Sequence, residues 1–163
     1  MNQDLSSTNF QKEEFLQGKQ IVPLESSSDH YRAEACVVWC FDDRFAPALA
    51  TFLKAKNLTH KDLVSIAGGL KALASPDSED DRVFVLGQIR ASIALHHAPK
   101  VYLMVHSDCG KYGGLKAFAG DPNKELEEYR LEAKKAKDFL IANLGPSIQI
   151  EPVFADFQGV WRL

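Results

Sequence analysis

Two short segments of the 163-residue chain carry side chains that could bind a metal ion. The first reads Cys-Phe-Asp-Asp-Arg at residues 40–44, and the second reads His-Ser-Asp-Cys-Gly at residues 106–110. Zn²⁺ takes thiolate and imidazole ligands in a tetrahedron, and a site with three protein ligands keeps a fourth position open for water or substrate. We therefore predict that Cys40, His106 and Cys109 bind one zinc ion per chain.

Charged residues and glycines near the three predicted ligands have side chains or backbone freedom that could serve the same site. Asp42 and Arg44 can form a charge-assisted pair in which the guanidinium holds the carboxylate ready to orient a water molecule at the metal. If Arg44 released it, Asp42 could instead ligate the zinc; an ordinary exposed ion pair is the simpler alternative. Gly68 and Gly69 follow an apolar run and let the backbone approach this site, and the loop beginning at Gly110 could turn N–H groups towards an anionic substrate.

Residues 1–10 are polar, so we expect no export signal, and three cysteines are an odd number, which favours metal binding or catalysis over disulfides. Cys36 and Cys40 cannot be bridged if both lie on one strand, because their Cα atoms would be about 13 Å apart. Cys36 lies within an apolar run and is predicted to belong to the core. A metal-free alternative remains, in which Cys40 or Cys109 is a nucleophile activated by His106.

Composition restricts the class of protein. The net charge is −3, with 45% apolar and 25% charged residues, which is typical of a globular domain and argues against a general nucleic-acid binder. No stretch approaches the roughly 18 apolar residues that span a bilayer. We expect a cytoplasmic protein with a small-molecule substrate and neither a nucleic-acid nor a membrane partner.

Short apolar runs alternate with longer periodic segments from residue 35 onwards. The runs at residues 35–39, 63–66, 101–105 and 148–154 predict buried strands, and the segments at 47–56, 75–97 and 121–144 predict helices. This alternation predicts a mostly parallel sheet covered by helices, whose ligand site lies outside the carboxyl ends of the strands. Both metal-binding segments directly follow predicted strands.

The first thirty residues differ in composition from the rest. They are rich in serine, glutamine and charged residues, with a weakly amphipathic stretch at residues 10–16. We interpret residues 1–30 as a helical arm and linker, and residues 31–163 as the zinc domain. An amphipathic arm outside the core is expected to bury its apolar side against a partner chain.

The two segments resemble the zinc motifs of the β-class carbonic anhydrases. The matching patterns are Cys40-x-Asp42-x-Arg44 and His106-x-x-Cys109-Gly110, and the likeness extends over about Cys36 to Gly159. The resemblance implies a three-layer α/β fold with a four-stranded sheet in the order 2-1-3-4 and helices on both faces. It also implies a zinc site of two cysteines and one histidine, an Asp/Arg dyad, and a homodimer or higher homo-oligomer.

The function implied by this resemblance is the reversible hydration of carbon dioxide to bicarbonate, with Asp42 orienting the nucleophile and Arg44 holding Asp42. A relative acting on carbonyl sulfide or carbon disulfide would use the same residues. A zinc protein without hydration activity, in which Asp42 fills the fourth position, is the rival. It is favoured by Ser65-Ile66, which stands where the family usually has Arg-Asn.

Overall fold

A computed structural model describes residues 20–163, of which Tyr31–Leu163 form a compact α/β unit. Residues 20–30 are exposed and contain neither helix nor strand. The predicted helix at residues 10–16 lies outside the described part, so the arm remains a prediction. No helix within residues 20–163 has the length and apolarity needed to cross a membrane.

Five strands form one sheet. They are β1 (Ala35–Cys40), β2 (Lys61–Ile66), β3 (Lys100–His106), β4 (Gln149–Ala155) and β5 (Val160–Arg162). Their order is β2-β1-β3-β4-β5; β5 pairs antiparallel with β4, and all other pairs are parallel. The predicted order of the first four strands is therefore confirmed.

The fifth strand corrects the predicted number of four. The Asp156 carboxylate accepts hydrogen bonds at 2.8 Å from the backbone N–H groups of Gln158 and Gly159. A further bond from Asp156 N to Gly159 O closes the turn at 3.0 Å. The chain is thereby reversed, and three more residues pair along β4.

The α-helices of the described chain are α1 (Ala46–Ala55), α2 (Lys71–Ala74), α3 (Glu79–His96) and α4 (Pro122–Leu144). The ends of α4 agree with the prediction, since Asp121 accepts from Asn123 N and Pro122 occupies the first turn. Helix α3 begins later than predicted because Ser78 is its N-cap. The four residues of α2 were not predicted, since one turn gives no periodic signal.

Helices cover both faces of the sheet, as predicted. Alternate residues of β1 point to opposite sides, so Val37 and Trp39 pack with Phe52 of α1, whereas Cys36 and Val38 join the larger core formed with α2, α3 and α4. Cys36 is fully buried in that core, as its position within the apolar run predicts. The stacked layers fix β1 and β3 side by side.

Helix α4 contains an unexpected buried carboxylate. Apolar residues at spacings of three and four in the sequence of this helix predict an inner stripe of Leu126, Tyr129, Ala133, Ala136 and Leu140. The structure buries the last four, but Leu126 is only half-buried and Glu125 takes the inner position beside it. The prediction for Leu126 was wrong because the neighbouring carboxylate has hydrogen-bond partners that offset its loss of hydration.

Candidate metal centre

The three predicted ligands converge at the carboxyl edge of the sheet. Cys40 ends β1, His106 ends β3, and Cys109 follows in the next turn. Because β1 and β3 are parallel neighbours, both strand ends meet at one edge. One ligand atom from each of the three residues lies within 4.8 Å of the others, and all three residues are buried.

The imidazole of His106 has one nitrogen bonded to the backbone and one nitrogen without a hydrogen-bond partner in the described chain. Its Nδ1 donates to the backbone carbonyl of Ser107 at 2.8 Å, and the ring of Phe45 packs on it with 4.2 Å between centroids. Nε2 is buried and has no hydrogen-bond partner in the described chain. A buried nitrogen fixed in this way fits a metal ligand whose other nitrogen is held by the backbone.

The two thiols share an environment that favours one thiolate. A hydrogen bond from Cys109 lowers the pKa of Cys40, and the same bond raises the pKa of Cys109. The backbone N–H of Gly68 also donates to Cys40 Sγ at 3.3 Å. Because ligand thiols must lose their protons, metal affinity at this site is expected to rise with pH. Two sulfurs and one nitrogen suit Zn²⁺.

Asp42 lies beside the ligands but is bound by Arg44. The guanidinium donates Nη2 to Asp42 Oδ2 at 2.7 Å and Nε to Oδ1 at 3.0 Å, and these bonds lower the pKa of Asp42. Asp42 Oδ2 is 3.8 Å from Nε2 of His106. The carboxylate is therefore near the open side of the site while its oxygens are held by another group.

Asp108 is a contact of Arg44 that the sequence did not single out. Nη1 of Arg44 donates to Asp108 Oδ2 at 3.0 Å, and Nη2 donates to the Asp108 carbonyl at 3.1 Å. The residue has a φ of 53°, in the left-handed region that few non-glycine residues adopt. Asp108 lies between two predicted ligands, so its type and place in the motif were the only available signal.

The three predicted substrate-binding glycines have different surroundings. Gly68 and Gly110 line the cleft at the ligands, whereas Gly69 is not part of its lining. A Cβ on Gly69 would lie 2.1 Å from the carbonyl oxygen of Met104, and the φ of Gly69 is 56°. Gly69 thus lets β3 come close to the turn that follows β2. A substrate-binding role for the three residues remains a prediction.

The cleft above the ligands has a volume of about 590 Å³ and is open to solvent. Phe41, Ala67 and Lys111 contribute to its lining, together with Asp42. Ser65 and Ile66 do not line it: Ser65 is exposed, and Ile66 packs against the core. The departure from the family pattern at these two positions therefore lies outside the cleft of the described chain.

Comparisons of the whole chain show likeness in structure. No protein-family model and no curated protein matches it. It is similar to a tetrameric β-carbonic anhydrase from the filamentous ascomycete Sordaria macrospora, with a TM-score of 0.54 and 15% identity over 98% of this chain and 94% of that chain. It is also similar to β-carbonic anhydrase isoform I from the protozoan Trichomonas vaginalis, with a TM-score of 0.53 and 16% identity over 97% of this chain and 94% of that one. The chain therefore has the β-carbonic anhydrase fold, with a Cys-His-Cys cluster at the carboxyl edge of its sheet.

Proposed function

We propose that the protein is a zinc enzyme that reversibly hydrates carbon dioxide to bicarbonate. The observation that carries this proposal is the position of Asp42, whose Oδ2 lies 3.8 Å from the unpartnered His106 Nε2 while Arg44 holds the carboxylate. Cys40, His106 and Cys109 would hold the metal. Zinc, when bound, would lower the pKa of a water molecule at its open position and so make it a nucleophile near neutral pH.

Asp42 would orient the attacking water by accepting a hydrogen bond from it. Arg44 supports this role because its hydrogen bonds lower the pKa of Asp42 and keep the carboxylate an acceptor. Asp108 in turn fixes Arg44 through two further bonds. The proton released in hydration can leave through the solvent-open cleft.

The substrate would enter beside the glycines. We propose that Gly68 and Gly110, which line the cleft, contact the substrate, and that Gly69 acts by keeping the backbone close. Carbon dioxide needs little space, and the apolar side chains of Phe41 and Ala67 give it contacts that do not compete for hydrogen bonds.

A homodimer or higher homo-oligomer and a cytoplasmic location are part of the same proposal. The Sordaria macrospora β-carbonic anhydrase to which this chain is similar is tetrameric, which supports assembly without fixing the number of copies. The exposed apolar side chains Phe157 and Trp161 support it as well. Light scattering at micromolar concentration should give at least the mass of two chains.

The deciding experiment is stopped-flow carbon dioxide hydration on protein whose zinc content has been measured. We expect activity in the wild type, and a loss of at least about 100-fold with retained zinc in Asp42→Asn, because an amide is a poor acceptor and carries no charge for Arg44. A wild type with one zinc and no hydration at any pH would reject the proposal. Turnover of carbonyl sulfide or carbon disulfide by that protein would then identify a related hydrolase, and no turnover would leave the zinc protein without activity.

A further inference from the structure

Glu125 is a buried carboxylate that the proposed hydration does not use directly. It lies in the first turn of α4 and is only 2% exposed, although carboxylates are seldom buried without partners. Its Oε1 accepts a hydrogen bond from the backbone N–H of Asp108 at 2.7 Å and another from the Tyr129 hydroxyl at 3.0 Å. The first turn of α4 is thus bound to the turn between His106 and Cys109.

Asp108, whose N–H donates to Glu125, makes further hydrogen bonds through its carbonyl and both carboxylate oxygens. The Asp108 carbonyl accepts from Arg44 Nη2, and its Oδ2 accepts from Arg44 Nη1. Its Oδ1 accepts from the backbone N–H of Leu115 at 2.9 Å. In the described part of the chain, the N–H of this peptide donates to Glu125 alone, and the backbone of Asp108 is in the left-handed region with a φ of 53°. The two bonds from Arg44 mean that any rotation of Asp108 also moves the guanidinium.

We propose that Glu125 is a positioning residue of the metal centre. Its oxygen fixes the Asp108 peptide, and through that peptide it sets the spacing between His106 and Cys109 and the direction in which Arg44 faces Asp42. This inference rests on the proposed function in one respect, namely that the three ligands hold zinc. It adds a buried acceptor, outside both sequence motifs, on which the ligand geometry depends.

Glu132 provides a matched control on the same helix. It lies two turns after Glu125 and is 1% exposed. Its carboxylate accepts from the hydroxyl groups of Ser75 and Tyr112 and pairs with Lys135 Nζ at 2.8 Å. These bonds support the loop before α3 and the end of the turn after Cys109, and none of them goes to the Asp108 peptide. Removing either glutamate deletes one buried carboxylate, but only one of the two deletions frees Asp108.

The test is the zinc dissociation constant of the full chain, measured by competition with a chromophoric chelator. We expect Glu125→Ala to weaken zinc binding by about 10- to 100-fold, which is the usual effect of losing a group that orients ligands. Glu125→Gln should restore most of the affinity, because its amide oxygen can accept both hydrogen bonds. Glu132→Ala should bind zinc within about threefold of the wild type, although it is expected to be less stable. The visible spectrum of the Co²⁺-loaded protein should change in Glu125→Ala and remain unchanged in Glu132→Ala.

Equal zinc affinity in the wild type and Glu125→Ala would overturn the proposal, as would an equal loss in Glu132→Ala. If Glu125→Ala does not fold, Glu125→Asp provides the same test, because it keeps the charge and withdraws the oxygen by one methylene. Wild-type hydration is measured on the same samples. Zinc binding without hydration would reject the proposed function and leave the role of Glu125 standing, whereas a wild type that binds no zinc would overturn both.

Discussion

Each end of the sheet has an aspartate whose carboxylate accepts hydrogen bonds from neighbouring side chains. The two ends differ in the groups that lie beside that aspartate. At the carboxyl end, Arg44 holds Asp42, but the buried Nε2 of His106 beside it has no partner in the described chain. At the amino end, Asp62 accepts from the Tyr31 hydroxyl at 2.6 Å and from His96 Nδ1 at 2.9 Å. There the tyrosine ring also packs on the imidazole, with 4.3 Å between centroids.

This difference separates a site from a structural cluster. At the carboxyl end, one atom from each of Cys40, His106 and Cys109 lies within 4.8 Å of the others, which is a donor set that suits a metal ion, whereas the oxygens of Asp62 already accept hydrogen bonds from Tyr31 and His96. Under the proposed function the metal binds at the carboxyl end, and we expect the cluster of Tyr31, Asp62 and His96 to stabilise the fold.

The largest expected effect is the loss of metal when a ligand is removed. Cys109→Ser should reduce zinc from about one per chain to a small fraction and abolish hydration, because a serine hydroxyl is a poor zinc ligand. Cys36→Ser is the matched control, since this cysteine is fully buried in the core away from the ligands, and it should keep the metal. Elemental analysis of folded protein measures both. Loss of zinc through the Cys36 change alone would refute the ligand assignment.

The second prediction concerns the carboxylate beside the ligands. Arg44→Ala should lower hydration by about 100-fold while zinc remains, because Asp42 is released and can bind the metal through oxygen at about 2.0 to 2.2 Å. X-ray absorption at the zinc edge would detect the added oxygen ligand. The same carboxylate ligand in the wild type at high pH would show that Arg44 does not hold Asp42 back.

The third prediction concerns the other end of the sheet. Asp62→Asn should lower the free energy of unfolding by about 1 to 2 kcal/mol, because the amide group replaces one of the two acceptor oxygens that Tyr31 and His96 use. Zinc affinity should not change. Chemical denaturation and chelator competition measure the two quantities. A tenfold weaker zinc affinity would show that the two ends of the sheet are coupled and that the cluster of Tyr31, Asp62 and His96 does more than stabilise the fold.

The smallest effect is expected at a half-buried ion pair between β3 and β4. Lys100 Nζ lies 2.8 Å from Glu151 Oε1, and this pair lowers the pKa of Glu151. A carboxylate with a lowered folded-state pKa stabilises the fold above its unfolded value and loses that contribution as the pH falls through the folded value. Glu151→Gln should therefore cost about 0.5 kcal/mol at pH 7, and the difference should shrink as the pH falls below the ordinary glutamate pKa of about 4.3 and through the lowered folded value. A cost that stays the same from pH 7 to about pH 2 would rule out this charge effect.

The sequence predicted those parts of the molecule in which local pattern and tertiary structure agree. The runs that became β1 and β3 are buried on both faces, and Asp121 and Pro122 mark the start of α4 by their side-chain chemistry alone. The order of the first four strands came from the resemblance to the β-class carbonic anhydrases, whereas the ligand set followed from thiol and imidazole side chains placed directly after two predicted strands. The predicted helices on both faces are present because each crossover must cover one side of a parallel sheet.

What sequence reasoning missed depends on contacts between distant residues. No local pattern of the sequence marks Glu125 as buried, and it is recognisable only as a charged residue four positions before Tyr129. Its partner, the Asp108 N–H, is 17 positions away. Likewise β5 exists because Asp156 closes a turn, and α2 is too short for a period. Such features require the assembled fold before they can be inferred.

Gly69 is a position at which even a conservative missense mutation should be damaging. An added methyl group there would meet the carbonyl oxygen of Met104 at 2.1 Å and would lie 3.4 Å from the backbone nitrogen of Cys40. Met104 precedes His106 by two residues on β3, and Cys40 ends β1, so relieving the clash would move the strands that carry two ligands. A Gly69→Ala allele should therefore behave like the loss of a ligand, although every metal-binding side chain would still be encoded.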